Sequence, residues 1–160
     1  MDYAIAIRDW RFYISLKRVT KRTGVNSRLD DGNHFLMWDF DATPEGKVIE
    51  SLAAVQERFQ LSNIYLMGTG VTGYYHAYCF TRRSWADTLY ILASTERLDE
   101  MYFRIGVIRG YFTLRISGKQ GETMQGICCL ASGVPETVDP ANIRDFCEYT
   151  AKFARAVTSK

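Results

Sequence analysis

Apolar and polar positions alternate with two different periods along this chain. The densest apolar run is His34-Phe35-Leu36-Met37-Trp38-Asp39-Phe40-Asp41, in which only Asp39 interrupts the hydrophobic residues before Asp41 closes the run. So short a run suits a buried strand better than a helix. Side chains alternate faces on a strand, which places Asp39 and Asp41 on one face, roughly 7 Å apart, and Leu36, Trp38 and Phe40 on the other. A helical period follows. Val48, Ile49, Leu52, Val55 and Phe59 recur at helical spacing after Thr43-Pro44, which predict the N-cap and the first helical position. Residues 64–67 and 74–80 then read as two strands of a hairpin whose tip carries Gly68, Gly70 and Gly73. The first of them is expected beside the opening strand. Ser84, with Asp87 three residues on, predicts a capped helix with Trp85, Leu89 and Leu92 as its apolar stripe.

Elsewhere the pattern is weaker. Residues 2–20 fit neither period cleanly and lean toward helix, and residues 97–109 are ambiguous. Residues 111–117 alternate, with Phe112, Leu114 and Ile116 against Tyr111, Thr113, Arg115 and Ser117. A turn and a strand over 124–130 follow. Asp139-Pro140 is expected to open a last helix with Ile143, Phe146, Cys147, Thr150, Phe153, Ala154 and Val157 along one side. Helices interleaved with partly hairpin-paired strands predict an α/β or α+β fold. The expectation is one domain over 1–160, divisible into sub-units 1–85 and 86–160.

Composition narrows the class. A chain of 160 residues that is 47% hydrophobic and 14% aromatic can fold around a core of its own. It holds no apolar run near the ~20 residues a bilayer requires, and its start lacks a secretory n-region. A soluble cytoplasmic protein without a membrane partner is therefore expected. Net charge is only +2, but Arg8, Arg11, Lys17, Arg18, Lys21, Arg22 and Arg28 cluster against the single acid Asp9. Such a segment attracts phosphate backbones or forms a solvated helix face. Cys79, Cys128, Cys129 and Cys147 contain no C-x2-C pair, so they read as reduced core thiols rather than zinc ligands.

Two carboxylates at the end of a buried strand call for a positive partner, and a divalent cation is the economical choice. A strand end reaching water would carry the same letters. Three other features suit a metal–phosphate site. His76 leaves the glycine turn, where imidazole and glycine amides can bind phosphate oxygens; a packed strand histidine is the alternative. Asp99, or its neighbour Glu100, offers a third carboxylate of the kind a two-metal site uses, or an exposed turn acid. Arg115 on a strand, and Lys119 on the turn after it, can neutralise phosphates, or form a salt bridge within the fold.

The order Trp38-Asp39-Phe40-Asp41, then Gly68-Thr69-Gly70-Val71-Thr72-Gly73-Tyr74-Tyr75-His76, then Asp99 and Arg115, resembles the archaeo-eukaryotic primase superfamily, especially the primase-polymerases of plasmids and phages. The resemblance covers about residues 34–120. That family usually has a small residue two before the histidine; here the position is Tyr74. The resemblance implies a minimal core in which an α/β unit packs with an RRM-like unit, with the site in the cleft between them. It implies Mg²⁺ or Mn²⁺ bound by Asp39, Asp41 and Asp99, and nucleoside triphosphates bound by His76, Arg115 and Lys119. It further implies a single-stranded DNA template and a place in plasmid or phage replication, where a replicative helicase is a partner. Two other classes fit the same residues: a nucleic-acid-binding replication protein of that fold with a degenerate site, and a metal-dependent transferase for another activated nucleotide.

Overall fold

The computed structural model describes residues 2–7, 10–15, 21–116 and 123–150. These hold nine strands and three α-helices in a mixed α+β arrangement. The strands are β1 (Asp2–Ile7), β2 (Trp10–Ser15), β3 (Lys21–Asn26), β4 (His34–Phe40), β5 (Ile64–Gly68), β6 (Tyr75–Arg83), β7 (Thr113–Arg115), β8 (Gln125–Leu130) and β9 (Phe146–Thr150). The helices are α1 (Glu45–Phe59), α2 (Trp85–Ala93) and α3 (Glu100–Arg109). All pairings are antiparallel. They give a two-stranded sheet β1-β2, a three-stranded sheet β7-β3-β9 and a four-stranded sheet β4-β6-β5-β8. Both larger sheets draw strands from either side of residue 85.

The predicted opening strand is β4, and it is buried on both faces. Phe35 and Met37 on one face, and Leu36, Trp38 and Phe40 on the other, are all excluded from solvent. Each such side chain contributes about 1.5–3 kcal/mol. Trp38 also donates its indole N–H to Thr95 Oγ1 at 2.9 Å, just after α2. On α1, Val48, Leu52 and Val55 are buried at the predicted helical spacing. Its cap lies one residue later than expected: Pro44 is the N-cap, while the Thr43 hydroxyl donates to the Asp41 carbonyl. The predicted capping pair of α2 is present, with Ser84 Oγ accepting from Asp87 N and donating to the Asp87 carboxylate.

Four expectations fail. Residues 2–7 and 10–15 pair as the strands β1 and β2 rather than forming a helix; Trp10, Phe12 and Ile14 recur at every second position, the strand period. The final helix is absent from the described residues. Asp139 caps one 3-10 turn, Pro140–Asn142, and the chain then extends into β9 along β3. Strand β5 lies beside β6 and β8, not beside β4, because β6 inserts between them. Of the four cysteines only Cys79 is buried; Cys128 and Cys129 are exposed on β8, at the edge of its sheet. The predicted residues Phe153, Ala154 and Val157 lie outside the described residues, as do Arg8, Lys17 and Arg18. Among the described residues no helix is long and apolar enough to cross a membrane.

A buried histidine ties three strands together. Ser27, one residue past β3, accepts from Phe112 N at 3.0 Å, and its Oγ lies 2.9 Å from His34 Nδ1 at the start of β4. The hydroxyl completes this relay by donating to an unprotonated Nδ1. Burial, and then the Arg28 guanidinium, hold the imidazole below its ordinary pKa of 6.5. The unfolded chain therefore takes up this proton first as pH falls. The contribution is intact above pH 6.5 and is lost below it. Melting curves recorded from neutral to acidic pH should show this loss, and His34→Gln should flatten it. An unchanged acid slope in the variant would assign the loss to other groups.

Candidate nucleotide site

The β4–β6 register sets Asp39 directly opposite His76. His76 Nε2 lies 3.5 Å from Asp39 Oδ1, with the histidine buried and the carboxylate partly open. Asp41 follows where β4 ends and is exposed. The turn between β5 and β6 is held against it. Thr43 N donates to Gly73 O at 3.0 Å, and the backbone of Ala42 packs on Gly73, whose φ is +84°. An L side chain there would be strained, and its Cβ would sit 3.6 Å from the Ala42 backbone. Glycine thus lets the turn bring Thr69 and Tyr74 beside the two carboxylates. Thr69 is itself fixed by donating from N and from Oγ1 to the Tyr74 carbonyl, both at 3.2 Å.

The other wall is the three-stranded sheet. Strand β7 pairs Arg115 with Gly24 and Leu114 with Val25. Its residues Thr113, Leu114 and Arg115 join Asp39, Asp41, Thr69, Tyr74 and His76 around a cavity of about 230 Å³. Four of the residues singled out in the sequence, Asp39, Asp41, His76 and Arg115, therefore line one cleft between two sheets. The Nε of Arg115 is buried and meets no hydrogen-bond partner among the described residues. A guanidinium so placed suits an anion that accepts hydrogen bonds.

Asp99 is close but differently employed. Its backbone N–H donates to the Asp39 carbonyl at 2.9 Å, joining the start of α3 to β4. Its carboxylate caps the helix, accepting from Tyr102 N at 2.5 Å. Asp99 lines a second cavity of about 590 Å³, together with Asp39, Asn26, Tyr102, Arg109, Tyr111 and Thr113 among others. Glu100 is exposed and pairs with Arg104 at 2.5 Å. Lys119 lies outside the described residues. Among the described residues no group of three or more His, Cys, Asp and Glu gathers as a metal cage. Asp39 and Asp41 alone still suit Mg²⁺, which commonly takes one or two carboxylates and fills its shell with water and substrate phosphates. Burial, then the Asp39 charge and Tyr78, push the Tyr102 hydroxyl well above its usual pKa. It stays protonated and donates to the Met37 carbonyl at 3.0 Å.

Sequence reasoning did not single out Thr69 or Thr113 as site residues, and of the larger cavity it named only Asp39 and Asp99 as such. Thr113 shares the polar face of its strand with Arg115, and that shared face was its one signal. No protein-family model matches the chain, and neither the curated proteins nor the solved structures include a match.

Proposed function

We propose that this chain is a metal-dependent nucleotidyltransferase of the primase-polymerase type, joining nucleotides on a single-stranded DNA template. One observation carries the reading: two carboxylates, a histidine and an arginine from distant parts of the chain line one small, polar cavity between two sheets. In this reading Asp39 and Asp41 hold Mg²⁺ or Mn²⁺. The bound cation would polarise the α-phosphate and lower the pKa of the attacking 3′-hydroxyl. Arg115 neutralises the triphosphate, with Nε supplying a donor already removed from water. His76 lies beside the Asp39 carboxylate and donates to a phosphate oxygen. The hydroxyl would give up its proton to water as its oxygen attacks the α-phosphate, and the bond to pyrophosphate breaks as pyrophosphate leaves.

The capping role of Asp99 favours a second reading, a nucleotide- or nucleic-acid-binding replication protein with two carboxylates in place of three. A metal titration separates the two. Mn²⁺ with a nucleoside triphosphate at a hundred times Kd should stabilise the protein by about 2.7 kcal/mol, or roughly 5–10 °C in Tm. The shift should vanish in Asp39→Ala. Metal-independent binding of single strands, set by salt and stacking, would instead support the binding module.

A further inference from the structure

We propose that Thr113 reads the sugar of the bound nucleotide, with the triphosphate in the smaller cavity and the nucleoside in the larger. The proposal rests on the nucleotide site described above and adds a specificity determinant to it. The two cavities share two residues, Asp39 and Thr113. A ligand occupying both must pass between them, and the sugar is the part of a nucleotide that joins base to phosphates.

Each cavity suits its share of the ligand. Ligand sites generally span about 300–1,000 Å³. The smaller cavity, about 230 Å³, falls below that range and is walled mainly by charged and polar groups. The larger, about 590 Å³, lies within it. Its walls combine Met101, Ile105 and the rings of Tyr102 and Tyr111 with a few polar groups, the mixture a planar base prefers. Tyr111 is steadied by the Arg28 guanidinium, 4.2 Å from its ring centre, and Arg28 is itself anchored to Asp145 at 3.0 Å.

Hydrogen bonding fixes what Thr113 offers. Its hydroxyl donates to Asn26 Oδ1 at 2.6 Å, and Asn26 Nδ2 donates to Asp145 Oδ1 at 2.9 Å. The single hydroxyl proton of Thr113 is thus committed, and Oγ1 is left with acceptor lone pairs only, on a residue that lines both cavities. Such an oxygen accepts from a sugar hydroxyl and has nothing to donate to a carbonyl. We assign its partner as the ribose 2′-hydroxyl, so the site favours ribonucleotides over deoxyribonucleotides. A site built around a substrate hydroxyl discriminates against the analogue that lacks it.

Calorimetric titration of the full chain with ATP and with dATP, at one Mg²⁺ concentration, tests this. One neutral hydrogen bond predicts about tenfold tighter binding of ATP. Thr113→Val should bring the ratio close to one by weakening ATP alone, and Thr113→Ser should keep the preference. Equal affinities in the wild-type protein overturn the proposal whether or not the valine variant folds. So does a preference that survives in Thr113→Val, as it would if the larger cavity held a template base. Binding of neither nucleotide by the wild-type protein overturns the phosphate site itself, and the sugar assignment with it.

Discussion

Asp39→Ala is expected to lower nucleotide incorporation by about a thousandfold or more, with little change in melting temperature. Metal-borne charge stabilisation in a transition state is worth several kcal/mol, and each 1.36 kcal/mol is a factor of about ten in rate. Asp39 is the residue on which the site converges. It faces His76 across the β4–β6 pair, lines both cavities, and its backbone carbonyl receives the N–H that starts α3. The backbone bond survives the alanine substitution, so the fold should persist while the proposed metal site loses a ligand. Asp41→Ala should reduce incorporation comparably, because Asp41 lines the same small cavity. Labelled-nucleotide incorporation, read beside the thermal melt of each variant, checks both. Incorporation retained in either variant would remove the carboxylates from the mechanism.

Gly106→Ala is expected to destabilise the fold strongly. A Cβ at Gly106 would lie 2.2 and 2.3 Å from two ring carbons of Phe112, with a third at 3.0 Å. The ring has no room to retreat. Phe112 is fully buried and packs against Trp85, Tyr102 and Phe103 with ring centres 5.1–6.1 Å away. Its backbone N–H is held by Ser27. Overpacking of a core typically costs about 1–3 kcal/mol, and a clash this deep belongs at or above the upper end. A fall in Tm of roughly 10 °C follows. Adding Phe112→Leu, which trims the ring, should recover part of the loss. A Gly106→Ala protein as stable as wild type would mean that the helix and the ring do not meet as described.

The same contact explains why α3 was illegible in the sequence. A helix is recognised by an apolar stripe, but the buried residues of α3 are Tyr102 and Gly106. Its large apolar residues Met101, Val107 and Ile108 are exposed. With Phe103 only partly buried against the core, the apolar residues of α3 form no single inward stripe. By contrast β4, α1 and α2 were legible because their own apolar residues fill the core at the period of the element. The fate of residues 139–150 was decided by a partner distant in sequence. Ile143, Phe146, Cys147 and Thr150 satisfy a helical period, but Asn26 N donates to the Asp145 carbonyl and β3 supplies a hydrogen-bonding edge for residues 146–150. No local pattern reports such an edge.

The site divides in the same way. Asp39 and His76 lie on long, strongly patterned strands, and their cross-strand pairing follows from the hairpin once β6 is set beside β4. Arg115 reaches the cleft because β7 pairs with β3, a contact across some ninety residues that the alternation of 111–117 could suggest but not locate. Asp99 lies in the same neighbourhood and caps α3, since a carboxylate at a helix start is drawn to the orphan N–H groups there.

Incorporation of labelled nucleotides on a single-stranded DNA template, run with Mg²⁺ and with Mn²⁺, tests the central claim most directly. The site described here predicts template-dependent product with wild-type protein, lost on removing the metal and lost in Asp39→Ala. Nucleotide and single-strand binding without any product, under either metal, would contradict it.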